Sequence, residues 1–450
     1  MASIVKRGNS FAVVYYIDSK PKWETCKCEE EAKKRKIEIE YEQSKGIFTP
    51  PSEMTVTELM DKFISSYGKL KWGFSAFNSN IGLIKNYILP LLGDTTLKNC
   101  TSKRLTEYFS NLSEQEAVQM QGRKVQPTLI SDRGIYEVYC LLNIAFRLAV
   151  EWGDIGKNPL TESMKPSSGR GKRKTWDEET AKKALAVCED EILFMYFHLA
   201  LGCSMRVGEI SGLQWSKVFL DENNGYENAH LNVDVQLSRI SKASYGELAR
   251  KKDQVKLVFP DVYEGRTNKT MLVLKTPKTE SSIRTIYIPK TTASLLHQRK
   301  AKLDEHIKFA NDNYQDFNLV MALDNGRPIE ATTIGAHLDI LIKTHGLPDV
   351  DFHSLRHTST SVKLIISKGD IKSVQGDTGH SQAQMVTDTY AEIFDTRRKI
   401  NAKKFDESFF SIDENVDCSD DEIANAISNL LRKSEDWKKV LQQATLAAMI

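Results

Sequence analysis

Residues 353–358 read HSLRHT, and residues 378–394 read TGHSQAQMVTDTYAEIF. The first places His353 and Arg356 three residues apart, on one face of a helical turn. The second places His380 ten residues ahead of Tyr390. Two upstream stretches are biased in the same way. In MRVGEISGLQW (205–215), Arg206 and Glu209 are again three apart, so at a helix start the carboxylate can orient the guanidinium. In LKTPKTESSIRTIYIP (274–289), two strand-like runs are joined by a polar turn carrying Lys275 and Lys278. That pattern predicts a hairpin whose tip presents a mobile ammonium. Taken singly, these pieces have plainer readings: a surface ion pair, a solvated turn lysine, a histidine decorating a helix, a tyrosine in a core or interface. Together they form a chain-ordered set of groups suited to holding a phosphate.

The surrounding composition fits a globular chain. There are 450 residues, 40% hydrophobic and 27% charged, which as a prior suggests about three domains. No apolar run approaches the roughly 18 residues of a membrane span, and the N-terminus lacks a signal peptide's apolar stretch. Seven scattered cysteines argue against a disulfide framework and for a reducing, cytosolic setting. Cys26 and Cys28 have no second Cys/His pair nearby, so no zinc site is expected, and no acid/His cluster with metal spacing lies near the four stretches. The net charge of +2 does not by itself point to nucleic acid. Its distribution is more telling: KPSSGRGKRK (165–174) holds five bases and no acid, while residues 411–450 carry eight acids and four bases.

Around the four stretches the chain divides into segments. Residues 1–46 combine a β-rich run, SFAVVYYI (10–17), with a charged helical stretch (29–42) whose apolar points are Ala32, Ile37 and Ile39. Pro50-Pro51 marks a boundary. Residues 55–160 read as four helices on the spacings of Leu59/Phe63/Tyr67, Ile81/Ile84/Ile88/Leu91, Leu105/Phe109/Leu112 and Ile135/Val138/Leu142/Ala145/Phe146/Ala149. The Ser-, Gly- and Pro-containing stretch 165–174 is a flexible basic linker. Residues 175–408 read as mainly helical, with one small antiparallel sheet. In the tail, Ser419 and Glu422 form a capping-box pattern, and Ile423, Ile427, Leu430, Leu431, Trp437 and Leu441 make an amphipathic face.

In this order, Arg206, Lys278, His353 with Arg356, His380 and Tyr390 resemble the signature of the tyrosine recombinase (phage integrase) family. The likeness is to integrases of phages and conjugative transposons of Gram-positive bacteria in particular. The family's Leu-Gly-His box stands here as Thr378-Gly379-His380. The resemblance implies a multidomain, mainly α fold with small β-sheets: an arm-type DNA-binding domain (1–46), a helical core-binding domain (55–165), the catalytic domain (175–408) and an acidic, helical tail (409–450). It implies Tyr390 as nucleophile, Arg206 and Arg356 as the phosphate clamp, His353 as proton acceptor or relay, Lys278 as acid to the leaving oxygen and His380 as a donor to the phosphate. Glu209 would steady the arginine region. Lys172, Arg173 and Lys174 of the linker, with Lys69 and Lys71, would contact DNA phosphates. No metal or other cofactor is implied. The expected partners are double-stranded DNA at core and arm sites, three further copies in a tetramer, an excisionase and a host DNA-bending protein. The expected setting is the bacterial cytoplasm. A type IB topoisomerase-like enzyme and a DNA-binding protein without catalysis are the alternative readings.

Overall fold

The structure, a computed structural model, describes residues 2–17, 20–44, 52–119, 127–169, 174–261, 268–310 and 314–379, with a few helical positions between 402 and 432. Residues 1–383 and 384–450 form two compact units, and every element named below belongs to the first.

At the N-terminus, strands β1 (Ser3–Arg7), β2 (Ser10–Ile17) and β3 (Lys20–Cys26) form an antiparallel meander. Gly8, at φ +58°, makes the tight first turn. Alternation puts Val13 and Tyr15 against helix α1 (Glu29–Ser44), whose Ala32 and Ile39 are buried. Ile37, the third apolar residue of this helix, is 67% exposed. On the opposite sheet face the Arg7 guanidinium lies 4.2 Å above the Trp23 ring.

The next layer is helical: α2 (Val56–Phe63), α3 (Phe74–Leu83), α4 (Ser102–Ser113) and α5 (Asp132–Glu151). A capping box starts α2, with the Thr55 N–H donating to Glu58 Oε2 at 2.7 Å and the Glu58 N–H to Thr55 Oγ1 at 3.2 Å. The spacing read for α5 is the spacing that is buried: Ile135, Val138, Leu142, Ala145, Phe146 and Ala149 all lie in the core.

The remaining part of the unit contains α6 (Glu178–Ala186), α7 (Glu191–Phe197), α8 (Val207–Ser211), β4 (Val218–Phe219), β5 (His230–Val233), β6 (Gln236–Ser241), α9 (Lys242–Glu247), β7 (Val255–Val258), β8 (Thr270–Lys275), β9 (Arg284–Tyr287), α10 (Lys290–Ala310), α11 (Ala331–His345), α12 (Ser354–Ile366) and α13 (Ile371–Thr378). Tyr196, Phe197, Ile210, Leu231, Ile286, Leu338 and Leu355 centre its core, and Trp176 anchors the chain entering it by donating its Nε1–H to the Pro348 carbonyl at 2.8 Å.

Two three-stranded sheets, β4-β5-β9 and β6-β8-β7, stand where the sequence suggested one. Only Asp234 and Val235 separate β5 from β6, whereas residues 276–283 separate their partners β9 and β8. An antiparallel ribbon is thus split by a detour in one strand, and each half recruits its own third strand. Lys278 therefore lies on an excursion between sheets, not at a hairpin tip, because β8 pairs with β6 and β7 while β9 pairs with β5.

Period-two alternation along β8 then joins two cores. Leu272 and Leu274 pack with Leu237, Phe259 and Leu319, while Val273 turns the other way and joins the helical core together with Ile240 and Leu248. At this junction the Phe74 ring lies 6.1 Å from that of Tyr245, and Lys69 Nζ is 2.6 Å from Glu247 Oε2. An apolar seam thus packs the helical layer against the rest of the unit. Phe74 is 1% exposed. Phe74→Ala is expected to lower the unfolding free energy of the chain by about 3–5 kcal/mol, measured by chemical denaturation. A loss near zero would show that the seam does not contribute to the stability of the fold.

Candidate active site

Helix α8 is seated directly on the backbone of β6. A Cβ on Gly212 would lie 2.7 Å from the Leu237 nitrogen, and one on Gly208 would lie 2.9 Å from the Leu237 carbonyl oxygen. Only glycine allows so close an approach. This seating sets the position of Arg206, the residue that caps α8. Glu209, one turn in, is 2% exposed and reaches back, accepting from the Arg206 N–H (3.0 Å) and from Arg206 Nη1 (2.7 Å). The helix-start geometry expected for Arg206 and Glu209 is present.

The same carboxylate holds a second guanidinium. Arg284, with a side chain 5% exposed, donates Nη2–H to Glu209 Oε2 at 3.0 Å and Nη1–H to Oε1 at 3.4 Å. It also donates Nε–H to the Asp377 carbonyl at 2.8 Å and Nη1–H to the Ser282 carbonyl at 3.0 Å. Burial pushes the Glu209 carboxyl up, but Arg284, by charge and hydrogen bond, and then Arg206 outweigh it and hold the group below its ordinary value. Sequence reading passed over Arg284. Its signal was parity: along β9 it shares the inward face of the buried Ile286, while Thr285 and Tyr287 point outward.

Arg356 rises from the first turn of α12 and is 2% exposed. Its Nη1–H donates to the Ser204 carbonyl and its Nη2–H to the Thr378 carbonyl. Ser204 presents that carbonyl from a left-handed conformation (φ +53°). Its hydroxyl is 2.6 Å from Ser359 Oγ, which itself donates to the Leu201 carbonyl. The Nε of Arg356 has no hydrogen-bond partner among the described residues. Burial first, and the Arg206 charge second, pull the Arg356 guanidinium down to about 9. A buried cation, pushed by a second one and still holding an unused donor, is a place for an anion.

His353 sits at the N-cap of α12, its ring 5.3 Å from that of His357 and nearly perpendicular to it. Sequence reading did not single out His357. Lys278 is exposed on the 276–283 excursion, while Lys275, at the end of β8, is half-buried. Burial and the neighbouring Lys278 lower the Lys275 ammonium below its ordinary value. Helix α13 ends at Gly379, in a left-handed conformation (φ +61°). A Cβ there would lie 2.8 Å from the Ser281 carbonyl oxygen and 2.9 Å from Arg284 Cδ. The glycine of the Thr-Gly-His stretch is therefore required twice, for its conformation and for its contact with the excursion. Lys363 pairs with Asp377 at 2.7 Å and fastens α13 to α12.

Arg206, Glu209, Arg356 and the segments bearing Lys278 and His353 thus converge. His380 and Tyr390 lie outside the described residues, as do Lys172 and Arg173. Lys174 and Lys71 are exposed, and Lys69 is engaged by Glu247. No described group of three or more His, Cys, Asp or Glu could hold a metal ion, and no described helix is long and apolar enough to cross a membrane.

Glu209→Gln is expected to cost about 3–5 kcal/mol at neutral pH, because Arg284 would be left buried without a counter-charge. The folded-state value of the Glu209 carboxyl is depressed, so its contribution is present above the unfolded value near ~4.3 and is lost as the pH falls through the folded value. Denaturation curves of the two proteins should therefore converge on acidification below about pH 4. A gap independent of pH would exclude the ionised carboxylate as its source.

Residues 233–397 match the model of the phage integrase family. Among curated proteins, the chain is 24% identical over 388 residues to a "Tyrosine recombinase XerC-like" protein of Caldanaerobacter subterraneus, covering 84% of this chain and 88% of that one. It is 23% identical over 322 residues to the ICEBs1 integrase of Bacillus subtilis, covering 69% and 76%. Among solved structures, it shares its fold with the Tn1549 transposon integrase in complex with a circular intermediate DNA, with TM-score 0.58 at 18% identity over 78% of this chain and 99% of that one. Residues 233–397 thus carry a phage integrase family domain, and the chain is similar over most of its length to tyrosine recombinases and integrases.

Proposed function

We propose that this recombinase integrates and excises a mobile genetic element by cutting and rejoining double-stranded DNA through a 3′-phosphotyrosine intermediate. The observation that carries the reading is Arg356, a buried guanidinium with no carboxylate partner among the described residues, beside Arg206. An attacked phosphodiester gains negative charge on its non-bridging oxygens, and two guanidiniums stabilise that charge. The Tyr390 oxygen forms a bond to phosphorus as the bond to the 5′-oxygen breaks. The phenol proton passes to His353, and the leaving oxygen takes a proton from Lys278. A free phenol titrates near ~10, so cations around the phosphate are needed to favour its phenolate. His380 donates to the phosphate. Attack by another strand's 5′-hydroxyl on the phosphotyrosine ester restores a DNA phosphodiester and frees Tyr390, so bond energy is conserved and no nucleotide cofactor is consumed.

In this reading residues 175–408 do the chemistry, 55–165 grip the core site and 1–46 bind the arm site. Support for the last is the outward sheet face with Arg7 stacked on Trp23, a guanidinium and an aromatic ring presented together. The basic stretch 165–174, with Lys172, Arg173 and Lys174, and the exposed Lys71 follow the phosphate backbone, and Lys69 does so once released from Glu247. The working form is a tetramer on two DNA sites in the bacterial cytoplasm. An excisionase and a host DNA-bending protein set direction, and the 409–450 tail packs on its own body or on a neighbour.

The test is a nicked duplex carrying the junction sequence of the element that encodes the chain, incubated without metal or ATP. The unaltered protein should give a covalent protein–DNA adduct on a denaturing gel, mapped to Tyr390. Tyr390→Phe should give none while binding the duplex with unchanged affinity. An adduct from the Phe variant would remove Tyr390 as nucleophile. Binding by the unaltered protein without any adduct would favour a DNA-binding protein that does no chemistry, and relaxation of supercoiled DNA without strand exchange would favour a topoisomerase.

A further inference from the structure

We infer that Arg284 is a positioning residue for the strand-cleavage step, acting on the general acid as well as on the phosphate clamp. The inference rests on the recombinase reading above and adds a residue to it. The guanidinium has three anchors on three different parts of the chain. Through Glu209 it reaches α8 and Arg206 (3.0 and 3.4 Å); through the Ser282 carbonyl it holds the excursion that carries Lys278 (3.0 Å); through the Asp377 carbonyl it holds the end of α13, three residues before His380 (2.8 Å). Arg284 also begins β9, so the 276–283 excursion is pinned at its downstream end by both the β5 ladder and this side chain.

Alternatives to a linking role fit the geometry less well. A cation that merely neutralised Glu209 would need only the carboxylate, and Arg206 already bonds it. The two carbonyl contacts go to segments with no secondary-structure pairing to each other. A Cβ on Gly379 would lie 2.9 Å from Arg284 Cδ, so the arginine stem also sets how close α13 approaches the excursion. Lysine in this place would supply the charge to Glu209 but could not present a planar fork to three acceptors at once. The exposed Lys278, which forms no ion pair among the described residues, depends on the backbone around it for its position.

The role makes a specific claim about the chemistry. If Arg284 is lost, the Lys278 segment is free to shift, and proton delivery to the 5′-oxygen suffers. A duplex in which the bridging 5′-oxygen at the scissile bond is replaced by sulfur does not need that proton, since a thiolate leaves unaided. The phosphorus–sulfur bond breaks in place of the phosphorus–oxygen bond, and the Tyr390 ester forms as before.

The experiment uses the full chain at saturating concentration on the nicked element-junction duplex, in oxygen and sulfur forms, and reads the first-order rate of adduct formation. Binding is measured on the same duplexes, and thermal unfolding on the free protein. Arg284→Ala is expected to slow cleavage of the oxygen duplex about 100-fold, the scale on which a misplaced group costs rate. The sulfur duplex should recover about tenfold or more of that loss, as expected when proton transfer is the impaired step. Affinity should stay within about threefold of the unaltered protein, since Arg284 is too buried to touch the duplex. Arg284→Lys keeps the charge beside Glu209 and serves if the alanine variant does not fold. It should unfold near the unaltered midpoint and still cleave about tenfold slowly, again with recovery on sulfur. Equal rates for both variants and the unaltered protein, with only the amount of active protein reduced, would overturn the inference and assign Arg284 to folding alone. A slow rate with no recovery on the sulfur duplex would overturn the link to the general acid. Absence of any adduct from the unaltered protein would overturn the recombinase reading, and this inference with it.

Discussion

One buried carboxylate organises the site. Glu209 is 2% exposed and is shared by Arg206 and Arg284, while Arg356 lies close enough to both arginines to feel their charge. Three guanidiniums gathered with little solvent repel one another, and a single negative charge offsets only part of that repulsion. What remains is a net positive charge that an added anion would offset. A group placed to hold the unliganded arrangement together also leaves it wanting one more anion.

Backbone geometry, more than side-chain pairing, fixes the second arginine. Arg356 has carbonyl oxygens for partners, from Ser204 and Thr378. A carbonyl orients a guanidinium without neutralising it, so the full positive charge stays available. The cost falls on the chain: Ser204 takes a left-handed conformation, and Gly379 follows Thr378 in another. Gly208 and Gly212 serve the same end by letting α8 touch β6. These are positions where a local backbone requirement appears beside the chemistry it supports.

The helical stripes were readable because burial on one face imposes a period that the sequence must carry. Leu59, Phe63, Leu105, Leu112 and the α5 residues are buried as their spacing indicates. Arg206 with Glu209, and His353 with Arg356, were readable for the related reason that a three-residue step is local on a helix start. The single sheet and the lysine hairpin were misread because strand pairing is not local. Residues 274–289 look like two arms of one turn, and only the partners β5 and β6 decide that the arms belong to different sheets.

By itself, then, the sequence determined the helical layers and the local pairs Arg206–Glu209 and His353–Arg356, since each of these is written in neighbours a few positions apart. Tertiary structure alone decided that Arg284 bridges three segments, that Val273 and Phe74 belong to one apolar seam, and that Gly379 must stay bare against Ser281. The physical reason is range. Helical periodicity and capping act over one turn, whereas a buried charge selects its partners by distance in space, and residues 209, 284 and 377 become neighbours only once two sheets and three helices have packed.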